Sequence, residues 1–389
     1  MDTPLQAVTS DQPNPLEQLH ELGQSVWYDN ISRDLLEGGR LQKLINTRGV
    51  LGVTSNPTIF AKAIAESSLY DPEVREGLQR GDDAITVFNR LAVADIQATA
   101  DLLHPVYDRT AAYDGYISLE VSPTLAHDTD GTVAEAQRLW GLVARPNLMI
   151  KVPATLAGLP AITQLIAAGI NVNVTLIFGL ERYEAVMEAY LTGLEQRVAA
   201  DGPVARVASV ASFFVSRVDS LVDKRLQAQI DGNAGDANAL KALLGKAAIA
   251  NAKLAYALFQ RTFSGPRWEA LQEHGAQVQR PLWASTSTKN PNYRDVIYVE
   301  ELIGKDTVNT MPPPTVEAFA DHGVVAETVT TGVDEAGRVF DQLREVGIEM
   351  DEVTAQLEAE GVKSFADSFN QMLATIDGKR AVVSEQIAQ

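Results

Sequence analysis

Short apolar runs of β character recur along the chain at 25–29, 51–55, 116–122, 148–152, 170–178, 206–214, 281–287 and 307–311, and each is followed by residues in helical spacing. Val133, Ala136, Gln137, Trp140 and Val143 follow that spacing, as do Tyr183, Val186, Met187, Tyr190 and Leu194. Eight strands alternating with helices imply parallel pairing through right-handed crossovers. The pattern predicts an α/β chain folded as a closed (β/α)8 TIM barrel, with a doubly wound open sheet as the alternative.

Two segments are too long for a single crossover helix. Residues 57–113 hold two helical patterns split at Gly81 to Asp83, and 216–279 hold two or three, broken near 231–235 and at Gly265 and Pro266. They predict extra helices after the second and sixth strands. The stretch 231–236 lacks the alternating oxygens and closing glutamate of a calcium loop, so it is read as a turn. Beyond Pro312 to Pro314 three further helical patterns run to residue 389, with Val353, Leu357, Phe365, Phe369, Met372, Leu373 and Ile376 on one stripe. Helices of 315–389 are therefore expected to pack on the barrel, giving one domain over 21–389. Residues 1–20, with Pro4, Pro13 and Pro15, are expected to form a loose leader.

Strand faces indicate where chemistry lies. In the third strand Ile117, Leu119 and Val121 oppose Ser118, Glu120 and Ser122; in the fifth, Val172, Val174 and Leu176 oppose Asn171, Asn173 and Thr175. Buried parallel strands read as continuously apolar, so a polar stripe inside a barrel needs a reason, and an active site at the C-terminal strand ends is the usual one. Asp29, Glu120, Lys151, Thr175 and Ser212 all lie in the second half of their runs. A lone Glu or Lys in a strand more often faces solvent, and a lone Asn or Ser is more often structural. An acid, an amine and amides at matching depths of neighbouring strands favour a site.

Composition narrows the chemistry. Among 389 residues, 32 Lys plus Arg face 51 Asp plus Glu, a net charge of −19, which repels nucleic acid and confines any anion site to a local cationic cluster. There is no cysteine, which excludes disulfides, thiolate metal sites and a cysteine nucleophile. The five histidines, His20, His104, His127, His274 and His322, are scattered, so no metal site is expected. No P-loop, nucleotide-binding glycine pattern or nucleophile elbow is present. The longest apolar stretch, 207–218, is interrupted by serines and Arg217, so no membrane span is expected and the reading is a cytoplasmic protein.

Lys151 places an amine amid Leu148, Met149, Ile150, Val152 and Pro153. Burial disfavours an ammonium, and enzymes use it to bring a lysine from about 10.4 to about 7–8, where the free amine attacks carbonyls. Lys151 is thus a candidate imine former. Ser216 and Asp219 read as an N-cap and its partner three residues on, a helix start whose N–H groups and Arg217 would face one anion. The alternative is an ordinary capped helix with a surface arginine.

These residues sit in a set of motifs: VTSNPTIF at 53–60, SLEVSP at 118–123, MIKVPAT at 149–155, NVNVTLIF at 171–178 and SFFVSRVD at 212–219. The chain resembles the transaldolases through nearly the whole barrel, and its length and extra helices are similar to the longer bacterial subgroup. The resemblance implies a cofactor-free transferase acting on sugar phosphates in the non-oxidative pentose phosphate pathway. It would carry a dihydroxyacetone unit from sedoheptulose 7-phosphate or fructose 6-phosphate to glyceraldehyde 3-phosphate or erythrose 4-phosphate. The resemblance makes Lys151 the Schiff-base residue and Asp29 the base for the C4 hydroxyl, with Glu120 and Thr175 holding the proton-shuttling water. Asn56, Asn173 and Ser212 would orient the dihydroxyacetone unit, while Arg217 and Ser285 would hold phosphate. Compact members carry an arginine two residues beyond that serine; here Ser287 stands there, and Lys289 is the candidate substitute. The alternatives are a fructose-6-phosphate aldolase using the same lysine, and a catalytically silent sugar-phosphate-binding barrel.

Overall fold

In the computed structural model, which describes residues 14–387, eight parallel strands close into a barrel in sequence order. They are β1 (Gln24–Asp29), β2 (Val50–Thr54), β3 (Ile117–Glu120), β4 (Leu148–Pro153), β5 (Val172–Ile177), β6 (Ser209–Phe214), β7 (Arg280–Ala284) and β8 (Thr307–Met311). Strand β1 pairs with both β2 and β8, so the barrel and not the open sheet is correct. Strand β7 stops at Ala284, short of the expected 287, because Ser285 takes a left-handed φ of 57° and leaves the sheet.

Part of the segment expected to be a loose leader is helical. Pro15–Glu21 is a helix rather than loose chain: Asn14 caps it, accepting from Leu16 N and Glu17 N, while Leu16 and Leu19 are buried. Residues 1–13 lie outside the described residues.

Both helical insertions have more members than their patterns suggested. After β2 come Pro57–Glu66, Asp71–Arg80 and Ala84–Arg109; the added break falls at Ser67, which is extended and accepts from Leu69 N. After β6 come Ser216–Asp231, Ala237–Leu243, Ala247–Thr262 and Pro266–Glu273. The three final helices are as expected: Pro313–His322, Val333–Glu345 and Met350–Ile387. Among the described residues no single helix is long and apolar enough to cross a membrane.

A buried ion pair fills the N-terminal end of the barrel. Arg280 Nη2 lies 3.0 Å from Asp114 Oδ1, and Arg280 Nη1 donates to Ser25 Oγ at 2.8 Å. Asp114 also accepts from Ser25 Oγ at 2.7 Å and Trp27 Nε1 at 2.9 Å, and the guanidinium lies 4.0 Å from the Tyr113 ring centroid. Gly52 is required beside this layer, since a Cβ there would stand 2.6 Å from the Trp27 ring. In barrels of this kind room for a ligand lies at the other, C-terminal end.

Met350–Ile387, 38 residues long, lies across the C-terminal mouth. Val353, Met372 and Ile376 are wholly buried, and Leu357, Phe365 and Phe369 nearly so. Lys379 Nζ pairs with Asp71 at 2.7 Å and Thr58 Oγ1 donates to Ser368 Oγ at 2.8 Å, fastening this helix to the first insertion. Gly361 brings it close to β5, with its Cβ position only 3.0 Å from the Leu176 side chain.

Candidate active site at the C-terminal mouth of the barrel

Strand register assembles the polar stripe. Glu120 of β3 is opposite Lys151 of β4, and Lys151 is opposite Asn173 of β5. Lys151 Nζ stands 3.7 Å from Glu120 Oε2, with side-chain exposures of 6% and 5%, and donates to Ser55 O at 3.2 Å. At that separation Lys151 and Glu120 form an ion pair rather than a direct hydrogen bond. Strand β5 shifts register between Val174 and Ile177, with Leu176 at φ 60°, an irregularity of the kind that re-aims side chains beside active sites. Thr175 Oγ1 and Glu120 Oε2 are both buried without a hydrogen-bond partner among the described residues. Burial is the main cause that pushes the Glu120 carboxyl up to about 7; the charge of Lys151 opposes it and that of Asp29 adds to it.

Asp29 ends β1. Thr54 Oγ1 donates to Asp29 Oδ1 at 2.7 Å and lies 2.6 Å from Thr310 Oγ1. The Thr54 hydroxyl has one proton, already given to Asp29, so Thr310 is the donor in the second bond. Burial raises the Asp29 carboxyl above its ordinary value, opposed by Lys151, the Thr54 bond and Lys289.

A cavity of about 180 Å³ opens beside Asp29 and Lys151, with Glu120 and Thr175 outside its lining. Asp29, Thr54, Asn56, Lys151, Ser212 and Thr310 line one part of it, and Arg217, Ser285, Ser287 and Lys289 another. Asn56 caps Pro57–Glu66 by accepting from Ile59 N at 3.0 Å. Asn173 does not line the cavity: its Nδ2 donates to Ser118 Oγ at 2.9 Å and its Oδ1 accepts from Ser212 Oγ at 2.7 Å. Ser118 was visible in the stripe without a role, and it is the outer member of this relay.

The helix start at Ser216 differs from its expected capping box. Val215 is the N-cap residue, without a side-chain cap, and Asp219 turns away to accept from Ala248 N at 2.8 Å and Tyr298 Oη at 2.7 Å. Burial pushes the Asp219 carboxyl up to about 6. Ser216 instead meets the loop after β7, its N donating to Ser285 O at 3.1 Å and its Oγ lying 2.9 Å from Ser285 Oγ. Arg217 lies 5.2 Å from the Phe214 ring centroid and forms no ion pair among the described residues. Lys289 Nζ donates to Ser287 Oγ at 2.6 Å. Burial, then the charge of Arg217, lowers Lys289 below the ordinary lysine range. Two cations that disfavour each other and face one cavity would both be stabilised by an anion between them. Ser287 thus supports Lys289 where the compact pattern has arginine.

Phe365, from Met350–Ile387, also lines the cavity, its ring centroid 5.7 Å from Lys151 Nζ. The sequence marked Phe365 only as a buried stripe residue and passed over Thr54, Thr310 and Phe214. Thr310 had one usable signal, being paired with Trp27 two residues before Asp29. The assembled groups are a buried amine, two carboxylates in different surroundings and a cationic end, suited to imine chemistry on a carbonyl compound with an anionic tail.

Comparison with known proteins agrees with that chemistry. Residues 26–376 match the family model described as Transaldolase/Fructose-6-phosphate aldolase. The chain is 55% identical over 363 residues to a transaldolase of Parafrankia sp., an alignment covering 93% of this chain and 97% of the relative. It is 50% identical over 368 residues to a transaldolase of Mycolicibacterium paratuberculosis, covering 94% and 97%. With Transaldolase 2 of Nostoc sp. the identity is 45% over 376 residues, covering 95% and 99%.

Proposed function

The chain belongs to the transaldolase/fructose-6-phosphate aldolase family, as a transferase with transaldolase function, and from that premise we propose how its residues divide the reaction. Lys151 Nζ, as the free amine, attacks C2 of a ketose phosphate. Loss of the C2 oxygen as water then gives an iminium ion, an electron sink. Asp29 takes the proton of the C4 hydroxyl, the C3–C4 bond breaks toward the iminium, and the aldehyde departs. The three-carbon enamine attacks the acceptor aldehyde, and Asp29 returns the proton to the new hydroxyl. Hydrolysis of the product imine restores Lys151.

Glu120 and Thr175 hold the water that moves protons during imine formation and hydrolysis. Their unpartnered oxygens, that of Glu120 being 3.7 Å from Lys151 Nζ, support this role. Asn56 and Ser212 orient the dihydroxyacetone hydroxyls, and Asn173 acts through its bond to Ser212. Arg217, Ser285 and Lys289 take the phosphate. Donors are sedoheptulose 7-phosphate or fructose 6-phosphate; acceptors are glyceraldehyde 3-phosphate or erythrose 4-phosphate.

The observation that carries this reading is Lys151 within 3.7 Å of Glu120, on a cavity shared with Asp29 and ending at Arg217 and Lys289. The lyase alternative requires the enamine to be protonated and released. Phe365 over the amine favours transfer, because it limits water at the carbanion. Incubation with fructose 6-phosphate followed by borohydride is expected to leave a reduced three-carbon adduct on Lys151, located by peptide mass. An unmodified Lys151 in active, treated enzyme would refute the assignment.

Glu120 also sets a pH dependence. Its carboxyl titrates at about 7, and only the ionised form can accept the proton that Lys151 must lose. Plotted against pH, kcat/KM is expected to fall below about 7, with the limb absent in a slower Glu120→Gln enzyme. Persistence of the same limb in that variant would assign it to another group.

A further inference from the structure

The cationic end of the cavity is built from two separate pieces of chain. Arg217 stands in the first turn of Ser216–Asp231, whereas Lys289 belongs to the loop after β7. A lysine on a flexible stem beside an arginine is driven outward by like charge. Something must hold its loop in place.

Two carboxylates one helical turn apart on Ser216–Asp231 do so in the same way. Asp223 Oδ1 accepts from Gly245 N at 2.9 Å, and Oδ2 accepts from Tyr293 Oη at 2.6 Å. Asp219 accepts from Ala248 N and Tyr298 Oη. Each carboxylate therefore joins a backbone N–H at or just before the start of Ala247–Thr262 to a tyrosine hydroxyl from the β7–β8 segment. The Tyr293 ring rests on Gly245, whose φ is +69° and whose Cβ position would lie 2.7 Å from Tyr293 Cζ. Between Lys289 and Tyr293 the loop is closed on itself: Tyr293 N donates to Asn290 O at 3.1 Å, and Thr288 Oγ1 donates to Asp295 O at 3.0 Å. The loop is thus fastened to the helix that carries Arg217 on both sides of Lys289, through Ser285 on Ser216 four residues before it and through the Tyr293 hydroxyl on Asp223 four residues after it.

We infer that Tyr293, held by Asp223, is a positioning residue that fixes Lys289 beside Arg217 and so sets the preference for phosphorylated over unphosphorylated sugars. The inference rests on the phosphate reading of Arg217 and Lys289. Tyr293 touches no substrate. It acts through the loop.

The test is steady-state transfer by Tyr293→Phe, which keeps the ring and loses only the hydroxyl. With sedoheptulose 7-phosphate as donor, the acceptors are D-glyceraldehyde 3-phosphate and, separately, D-glyceraldehyde. The expected result is a rise in KM for the phosphorylated acceptor of roughly 5- to 20-fold with kcat within about 2-fold, as for loss of uniform binding. The kcat/KM for D-glyceraldehyde, compared at saturating donor, stays unchanged. Asp223→Ala gives the same pattern, and the double variant is no worse than Asp223→Ala alone, which already removes the Tyr293 bond together with that of Gly245. An unchanged KM, or an equal loss with both acceptors, would overturn the inference. Lys289→Ala separates the two levels. If it raises KM while Tyr293→Phe is silent, the tether fails and the phosphate site stands; if it is also silent, the phosphate reading itself fails.

Discussion

Lys151→Ala is expected to lower kcat/KM for transfer by at least about 10⁴-fold, equivalent to roughly 5.4 kcal/mol of transition-state stabilisation. Covalent catalysis is all-or-none in its nucleophile: without an imine, electrons of the breaking C3–C4 bond have no acceptor, and the carboxylates have no step to assist. The other lysine on the cavity, Lys289, donates to Ser287 at the cationic end and cannot stand in. Lys151→Arg should fail equally, since a guanidinium stays protonated and cannot attack a carbonyl. Removing the amine leaves the fold in place, because the apolar side chains of β4 pack independently of it. Assays coupled to product aldehyde, with circular dichroism as the control for folding, check this. Residual transfer above about one part in a hundred would show that the amine is dispensable.

Asp29→Asn is expected to slow transfer by about 10²- to 10⁴-fold, the range of a lost general base, while leaving imine formation intact. Thr54 can still donate to the amide oxygen, so the side chain keeps its position. The block falls between two covalent states, which makes it visible by mass. Borohydride added during turnover of fructose 6-phosphate by the original enzyme traps the three-carbon fragment. In the variant it should trap the whole six-carbon phosphate on Lys151. Fragment appearing in the variant at the original rate would remove Asp29 from the cleavage step.

The parts of this site that were legible in the sequence depend on short-range periodicity. Alternation along β3 and β5 fixes which residues face inward, and parallel register carries that level across to Lys151. Strand number followed from the same signal. What escaped depends on long-range contacts. The Ser216 and Asp219 spacing satisfies a local capping rule, but Ala248 N and Tyr298 Oη offer Asp219 enclosed donors, and tertiary bonding prevails. Helicity of 57–80 is interrupted at Ser67, a break whose one signal, Pro72 near the start of the next helix, was passed over, and Leu16 and Leu19 order a segment whose prolines suggested loose chain. The amphipathic stripe correctly placed Phe365 in an interior. It could not say that Lys151 was the neighbour.

The roof over that lysine has a consequence for the order of events on the ribosome. Strand β1 finds its second partner only when β8 emerges, and Phe365 emerges later still. Until β8 emerges, Lys151 belongs to a sheet that has not closed. Catalysis therefore begins as a late event of biosynthesis. A message truncated between β8 and residue 365 would encode every strand of the barrel but not the aromatic ring that lies 5.7 Å from the Lys151 amine.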